Sequence, residues 1–311
     1  METSAVVLSE PGRIALATVR LVEPGPADVV VDVDWSAIST GTERLLWSGE
    51  MPPFPGMGYP LVPGYEAVGR IVEAGPESGR LAGEWVFVPG SRGFDGVRGL
   101  FGAAGRRLVV AGDRVMPVDD GLADEGTMLA LAATARHAID PDAMPDLVIG
   151  HGVLGRLVAR IAIAMGGAPP VVWETNPARR DGAAGYPVVD PATDDGGPYA
   201  SVCDVSGDSG IIDKIVPKLA KGGEIVLAGF YKEKVAFDFP LAFIKEARFR
   251  IAAEWQPGDL ADVDRLIGSD SLSLSGLITH RAPATDAEAA YATAFNDPSC
   301  LKMIIDWRSI A

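Results

Sequence analysis

Over the first third of the chain, apolar and polar residues alternate in short runs broken by Gly and Pro, the period-two pattern of half-buried strands. Strands are predicted at Ala5–Leu8, Val29–Val33, Ala67–Val72, Trp85–Val88 and Leu108–Val110. From about Glu125 the period changes. Met128–Ile139 has helical spacing, and apolar strands then alternate with helices. The predicted strands are Leu147–Ile149, Val171–Glu174, Ser201–Val205, Glu224–Ala228 and Arg248–Ala253, with Arg156–Met165, Ile211–Leu219 and the segment Pro240–Lys245 between them. Such alternation is the signature of an α/β doubly wound parallel sheet. Two more helices follow, Leu260–Ile267 and Asp286–Phe295, the second with Asp286 as its N-cap, and then a strand at Met303–Ile305. The predicted organisation is a β-rich domain over 1–122, a nucleotide-binding insert over 123–255, and a return to the first domain over 256–311.

Asp146-Leu147-Val148-Ile149-Gly150-His151-Gly152-Val153-Leu154-Gly155 is a strand, a glycine turn and the start of a helix. Gly150 permits the tight turn, Gly152 lets backbone approach a pyrophosphate, and Gly155 lets the helix pack closely on the strand. The helix N-terminus offers N–H groups and a positive dipole end to phosphate. The next apolar run, Val171-Val172-Trp173, ends in Glu174, placed to accept from adenosine ribose hydroxyls. An acid there repels a 2′-phosphate, so NAD is expected over NADP. Arg179 and Arg180 complicate that choice, since they can hold a phosphate, although Arg179 can equally lie over adenine. Val153, Leu154, Thr175, Asn176, Ser206, Gly207 and Gly229 complete the expected cofactor set.

Charge and composition narrow the function. The 311 residues carry 27 Lys and Arg against 42 Asp and Glu, a net charge of −15, which disfavours nucleic acid and anionic membrane surfaces as partners. No apolar run reaches the ~18 residues of a spanning helix, and the N-terminus lacks a signal-peptide pattern. Cys203 and Cys300 lie far apart in sequence, and no disulfide is expected between them. A cytoplasmic, soluble chain is expected.

Several phrases resemble the medium-chain dehydrogenases/reductases. Pro63-Gly64-Tyr65-Glu66-Ala67-Val68-Gly69 resembles that family's PGHEx(V/A)G phrase, and Gly41-Thr42-Glu43 its GTD phrase. Leu277-Ile278-Thr279-His280 and Leu301-Lys302-Met303-Ile304-Ile305 resemble its C-terminal end. The resemblance implies a chaperonin-10-like catalytic domain holding a Rossmann domain, with the active site in the cleft between them. A narrower set of phrases includes Ser36-Ala37-Ile38-Ser39-Thr40-Gly41-Thr42-Glu43, Val172-Trp173-Glu174-Thr175-Asn176-Pro177 and Ala253-Glu254-Trp255-Gln256-Pro257. It resembles the branch that oxidises a hydroxyethyl group on a tetrapyrrole in bacteriochlorophyll biosynthesis, with NAD. Family analogy also makes a homo-oligomer an expectation.

Zinc members of the family hold their metal with Cys, His and a third Cys or Glu. The corresponding positions here are Thr40 or Ser39, Tyr65 and Ala130, so the resemblance implies a zinc-independent enzyme. A secondary alcohol must still lose a proton as its hydride leaves. Tyr65, Thr40, Ser39 and His151 are the candidate acceptors or relays, with bulk water as the alternative. The resemblance implies that Glu66 faces a basic residue near the C-terminus, here Lys302. Glu43 is expected to support Tyr65 or to complete a buried polar network, and Lys302 to reach the cofactor pyrophosphate. His137 and His280 are read as structural. Trp47, Met51, Phe54, Met57, Tyr59, Phe230 and Tyr231 are the apolar residues expected against a flat macrocycle, and Arg44, Arg92 or Arg98 are candidates for its carboxylate. Two other readings stand beside this one: a zinc-free quinone or enone reductase, and a non-catalytic NAD(H)-binding scaffold.

Overall fold

The computed structural model describes residues 1–53 and 55–310. They form two compact units, Met1–Ala130 with Leu277–Ala311, and Leu131–Gly276.

The first unit is built on the long strand Asp28–Ile38, which pairs antiparallel with Ala67–Ala74, Arg107–Ala111 and Met303–Asp306. The last of these pairings returns the end of the chain to its first strands. A hairpin of Glu2–Glu10 and Arg13–Leu21 lies in a second, five-stranded sheet. Val29, Val31, Val33, Ile71, Leu108 and Trp307 bury their side chains in one core with the Ala287–Asn296 helix. The strands predicted for this unit all fall within observed ones. His280–Pro283, left unpredicted, pairs parallel with Met303–Asp306. Asp286 stands at the N-cap position but caps nothing with its side chain. A 3₁₀ turn over Ala284–Asp286 feeds the helix directly, so Asp286 lacks the extended backbone that aims a capping carboxylate. Its Oδ1 instead accepts from the Thr285 hydroxyl.

The second unit holds six parallel strands: β1 (Leu147–Ile149), β2 (Val171–Trp173), β3 (Val188–Val189), β4 (Tyr199–Asp204), β5 (Leu219–Leu227) and β6 (Arg248–Ile251). Their order is β3-β2-β1-β4-β5-β6, with Val148 paired to Val172 on one side and Cys203 on the other. This is the doubly wound Rossmann order, whose direction of winding reverses between β1 and β4. β1 is buried along its whole length, as a central strand covered on both faces must be. The helix predicted over 211–219 is shorter than expected. It runs Ile212–Ile215, tightens to a 3₁₀ turn at Val216–Lys218 and gives way to β5 at Leu219, because Pro217 has no N–H for a continuing ladder. No helix among the described residues is long and apolar enough to cross a membrane.

Candidate active site

In the first unit a buried polar cluster forms where two segments meet. The Ala37 N–H donates to the Glu66 carbonyl (2.8 Å), laying the 65–66 segment against the end of Asp28–Ile38. Gly64 takes a positive φ of 92°, and a Cβ there would stand 3.1 Å from the Ala104 nitrogen, so the turn that delivers Tyr65 favours glycine. The Tyr65 hydroxyl then meets Ser39 Oγ in a short hydrogen bond, and the Thr42 side chain reaches the same hydroxyl. Phe101 sets its edge against the Tyr65 ring at 5.2 Å.

Glu43 fixes this arrangement from behind. Its N–H donates to the Ser39 carbonyl and its Oε1 accepts the Ser39 N–H, both at 2.8 Å. Its Oε2 accepts from the Tyr291 hydroxyl at 2.8 Å. Burial pushes the Glu43 carboxyl up to about 7, although these two hydrogen bonds favour the charged form. Burial and the neighbouring Glu66 raise the Tyr65 phenol above its ordinary value, so it stays protonated. Glu66 pairs with Lys302, both fully buried, and its Oε1 has no hydrogen-bond partner. Lys302 is thus committed to Glu66, and the expected pyrophosphate contact has no exposed ammonium to make it.

Tyr65, Ser39 and Glu43 are therefore brought together. Thr40 sits in the same turn, but Thr42 is the threonine that reaches the phenol. It went unrecognised in the sequence, although it stands three residues after Ser39, where one helical turn brings a side chain back to the same side. The donor set at the expected metal position is a hydroxyl, a protonated phenol and the buried methyl of Ala130, which does not fit zinc. Among the described residues no group of three His, Cys, Asp or Glu is placed to hold a metal ion.

In the second unit the glycine turn has the features a pyrophosphate needs. Gly150 takes φ +99°, and a Cβ on Gly155 would stand 1.8 Å from the Gly150 carbonyl oxygen. Nothing lies within 4 Å of where a Cβ on Gly152 would be, so this turn opens onto space. Gly152 is also the N-cap of the Val153–Ala164 helix, with no side chain capping it, so the first-turn N–H groups of Val153, Leu154 and Gly155 remain available to an anion. Glu174 follows β2, its Oε2 accepting the His151 N–H (3.1 Å) and its Oε1 the Asn176 N–H (2.7 Å). Thr175 and Asn176 lie in the same turn, where Asn176 Oδ1 caps Ala178. After β4 the Ser206 N–H donates to Asp204, and Gly207 takes φ +71°. A Cβ on Gly229, after β5, would come within 3.0 Å of the Gly207 nitrogen. All of these residues follow the carboxyl ends of strands, where ligands of such sheets bind.

His151 is not placed as a proton carrier. Its ring is fully buried, Nδ1 meets the Arg179 carbonyl at 2.6 Å and Nε2 the Tyr186 hydroxyl at 2.9 Å. A carbonyl only accepts, so Nδ1 carries the hydrogen and Nε2 accepts from Tyr186. Burial lowers the pKa below the ordinary histidine value, and the ring is neutral with both nitrogens committed. His137 bonds Asp259 at 2.9 Å and His280 bonds Thr279, both in structural roles.

The residues expected against a macrocycle are divided between the two units. Met51 is core, Trp47 packs on Phe295 at 5.7 Å, and Met57 and Tyr59 lie partly buried, with the Tyr59 hydroxyl on the Leu46 carbonyl. Arg98 donates to the Met57 carbonyl at 2.9 Å. Phe54 lies outside the described residues. Phe230 and Tyr231 belong to the second unit; Phe230 is exposed, and Tyr231 hydrogen-bonds Asp204.

Residues 25–120 match the alcohol dehydrogenase GroES-like domain. The chain is 59% identical to the 2-desacetyl-2-hydroxyethyl bacteriochlorophyllide A dehydrogenase of Cereibacter sphaeroides, over 100% of both chains. It is 57% identical to the protein of the same description from Rhodobacter capsulatus, over 99% of each. Among solved structures, 2R,3R-butanediol dehydrogenase from Bacillus subtilis superposes with a TM-score of 0.85 at 20% identity, over 98% of this chain and 99% of that one.

Proposed function

The chain belongs to the family of 2-desacetyl-2-hydroxyethyl bacteriochlorophyllide A dehydrogenases, oxidoreductases acting on CH–OH, and from that membership we propose that it oxidises the 1-hydroxyethyl side chain of a bacteriochlorophyllide to acetyl. The proposed hydride acceptor is NAD, no zinc takes part, and the reaction belongs to cytoplasmic bacteriochlorophyll a synthesis. The observation that carries the substrate is the 59% identity over the full length of both chains.

Unit Met1–Ala130 with Leu277–Ala311 is read as catalytic and Leu131–Gly276 as dinucleotide-binding. When bound, NAD supplies the acceptor for the hydride leaving the carbinol carbon. The chain's own part is to orient the alcohol and pass its proton to water. Tyr65, kept neutral, donates to or accepts from the substrate oxygen as the proton moves through Ser39 and Thr42. Glu43 holds Ser39 by its backbone and does not touch substrate. In the second unit Gly150, Gly152 and Gly155 bind pyrophosphate, and Glu174 binds ribose.

The test incubates the protein with 3-(1-hydroxyethyl)bacteriochlorophyllide and NAD. A red shift of the long-wavelength band with one NADH per acetyl group, insensitive to chelator, is the expected outcome. Turnover that stops on chelation removes the zinc-free part, and NADPH-dependent bleaching of a quinone or enone without pigment oxidation removes the reaction itself.

We also propose that two copies pair through β6. It is the edge strand of its sheet, and Ile251 on it and Phe239, Phe243 and Ile244 on the preceding helix, Phe239–Lys245, are each at least 66% exposed. Phe237 stacks on Phe249 at 4.9 Å and extends the same apolar surface. A bare apolar edge invites strand addition. A second copy, turned about a two-fold axis, supplies an identical strand running antiparallel and completes both ladders.

A further inference from the structure

We propose that His151 is a specificity-setting positioning residue: by tying the glycine turn to the segment after β2 it holds that segment in the shape that takes a ribose hydroxyl and refuses a 2′-phosphate. The inference rests on the dinucleotide reading of this site and deepens it.

The middle position of the glycine turn carries a large polar ring, and that ring is a crossbar. Its Nδ1–H donates to the Arg179 carbonyl, 28 residues along the chain, and its Nε2 accepts from Tyr186. The two rings meet edge to face at 5.6 Å. The His151 main chain is bound as well: its N–H donates to Glu174 Oε2 at 3.1 Å, and its carbonyl accepts from Arg156 Nε at 3.1 Å.

Arg156 pulls in the same direction. It is a buried guanidinium on the helix that follows the turn, and it donates to the carbonyls of Arg179 (3.2 Å), Asp181 (2.7 Å) and Gly182 (2.9 Å). The grip is close enough that a Cβ on Gly182, at φ +82°, would stand 2.3 Å from the Arg156 Nη1. Residues 179–182 are thus clamped by their carbonyls to the glycine turn and its helix.

The clamp bears on cofactor choice. Glu174 spends both oxygens on main-chain N–H groups, His151 and Asn176, which fixes the carboxylate where a ribose would present its hydroxyls. A 2′-phosphate would need the acid withdrawn and an arginine brought in. Arg180 is committed to the carbonyls of Glu174 (2.8 Å) and Thr175 (3.0 Å) and to Asp190 (2.6 Å). The Arg179 backbone is held by both His151 and Arg156. The crossbar thus fixes the backbone from which both arginines extend.

The test compares NADH and NADPH binding by fluorescence titration, and kcat/KM with NAD and NADP, in the wild type and three variants. His151→Leu fills the space but cannot bond Arg179 or Tyr186. The expected result is NADH binding weakened ~10-fold and a NADP:NAD ratio of kcat/KM raised ~10-fold or more, with the loss for NAD carried mainly by KM. His151→Asn keeps a donor near Nδ1 and is expected to restore the ratio to within about threefold of wild type. Tyr186→Phe removes one oxygen and is expected to move the ratio in the same direction; it also serves if the Leu variant fails to fold. A folded Leu or Phe variant with wild-type NADH affinity and an unchanged ratio overturns the inference. If the wild type binds neither dinucleotide, the cofactor reading itself fails, and the two failures are told apart.

Discussion

The Tyr291 hydroxyl donates to Glu43 Oε2 across 2.8 Å, joining the C-terminal helix to the turn that carries Ser39. This contact spans 248 residues, and it holds a carboxylate that burial pushes up to about 7. The sign of the resulting pH dependence follows. Between the unfolded value near 4.5 and the folded value of about 7, the native state keeps a proton that the unfolded chain has released. Glu43 therefore lowers stability progressively as pH rises through that window, by up to about 3 kcal/mol. Glu43→Gln cannot titrate, and its amide still offers an acceptor to Ser39 and a donor to the Tyr291 oxygen. Urea midpoints measured from pH 5 to 7.5 are expected to fall more steeply for the wild type than for this variant. Equal slopes would mean that Glu43 does not titrate there.

Tyr65 is a protonated phenol held between two hydroxyls, and its role is tested by rate rather than by stability. Tyr65→Phe removes the oxygen that Ser39 and Thr42 converge on, and kcat is expected to fall about 100-fold. Thr42→Ala and Ser39→Ala are each expected to lower it by roughly 10-fold, since either hydroxyl can still carry part of the relay. Because burial raises the phenol pKa, the wild-type profile should show no step from its ionisation up to about pH 10. Wild-type turnover by the Phe variant would move the proton path to water.

How much of this was legible in the sequence depends on the range of the contact. The change of hydrophobic period near Glu125 separates a β-rich stretch from an alternating one, and five of the six strands of the parallel sheet follow from it. The glycine turn was equally plain, because each glycine answers a local steric demand, as the 1.8 Å approach at Gly155 makes concrete. β3 escaped because two residues carry no period. The contact of Glu43 with Tyr291 joins distant segments and leaves no local pattern, and the pairing of Lys302 with Glu66 was legible only through the family resemblance. His151 invited a proton-transfer reading from its residue type and its place at the end of β1. Its real surroundings depend on a loop that closes 28 to 35 residues later.

Lys302 and Glu66 form an ion pair with almost no exposure on either side chain, and one carboxylate oxygen lacks a partner. Breaking such a pair leaves one charge buried and uncompensated, at about 3–5 kcal/mol. Lys302→Met is expected to destabilise the protein by that order, and Glu66→Gln by less, because the lysine can lose its proton. The double variant is expected to recover most of the loss, which a double-mutant cycle of unfolding free energies reads directly. Additive effects would show that the two side chains do not act as a pair.

The β6 edge makes the last prediction. Ile251 is 78% exposed and Phe243 67%, values that suit a surface covered by another chain. Burying one such side chain contributes about 1.5–3 kcal/mol, so a charge in its place weakens association by at least ~10-fold. Ile251→Lys and Phe243→Asp are each expected to shift the protein from dimer to monomer at micromolar concentration, seen by light scattering on a sizing column. Far-UV circular dichroism should stay unchanged, since neither side chain belongs to a core cluster. A monomeric wild type, or variants that stay dimeric, would place the contact elsewhere.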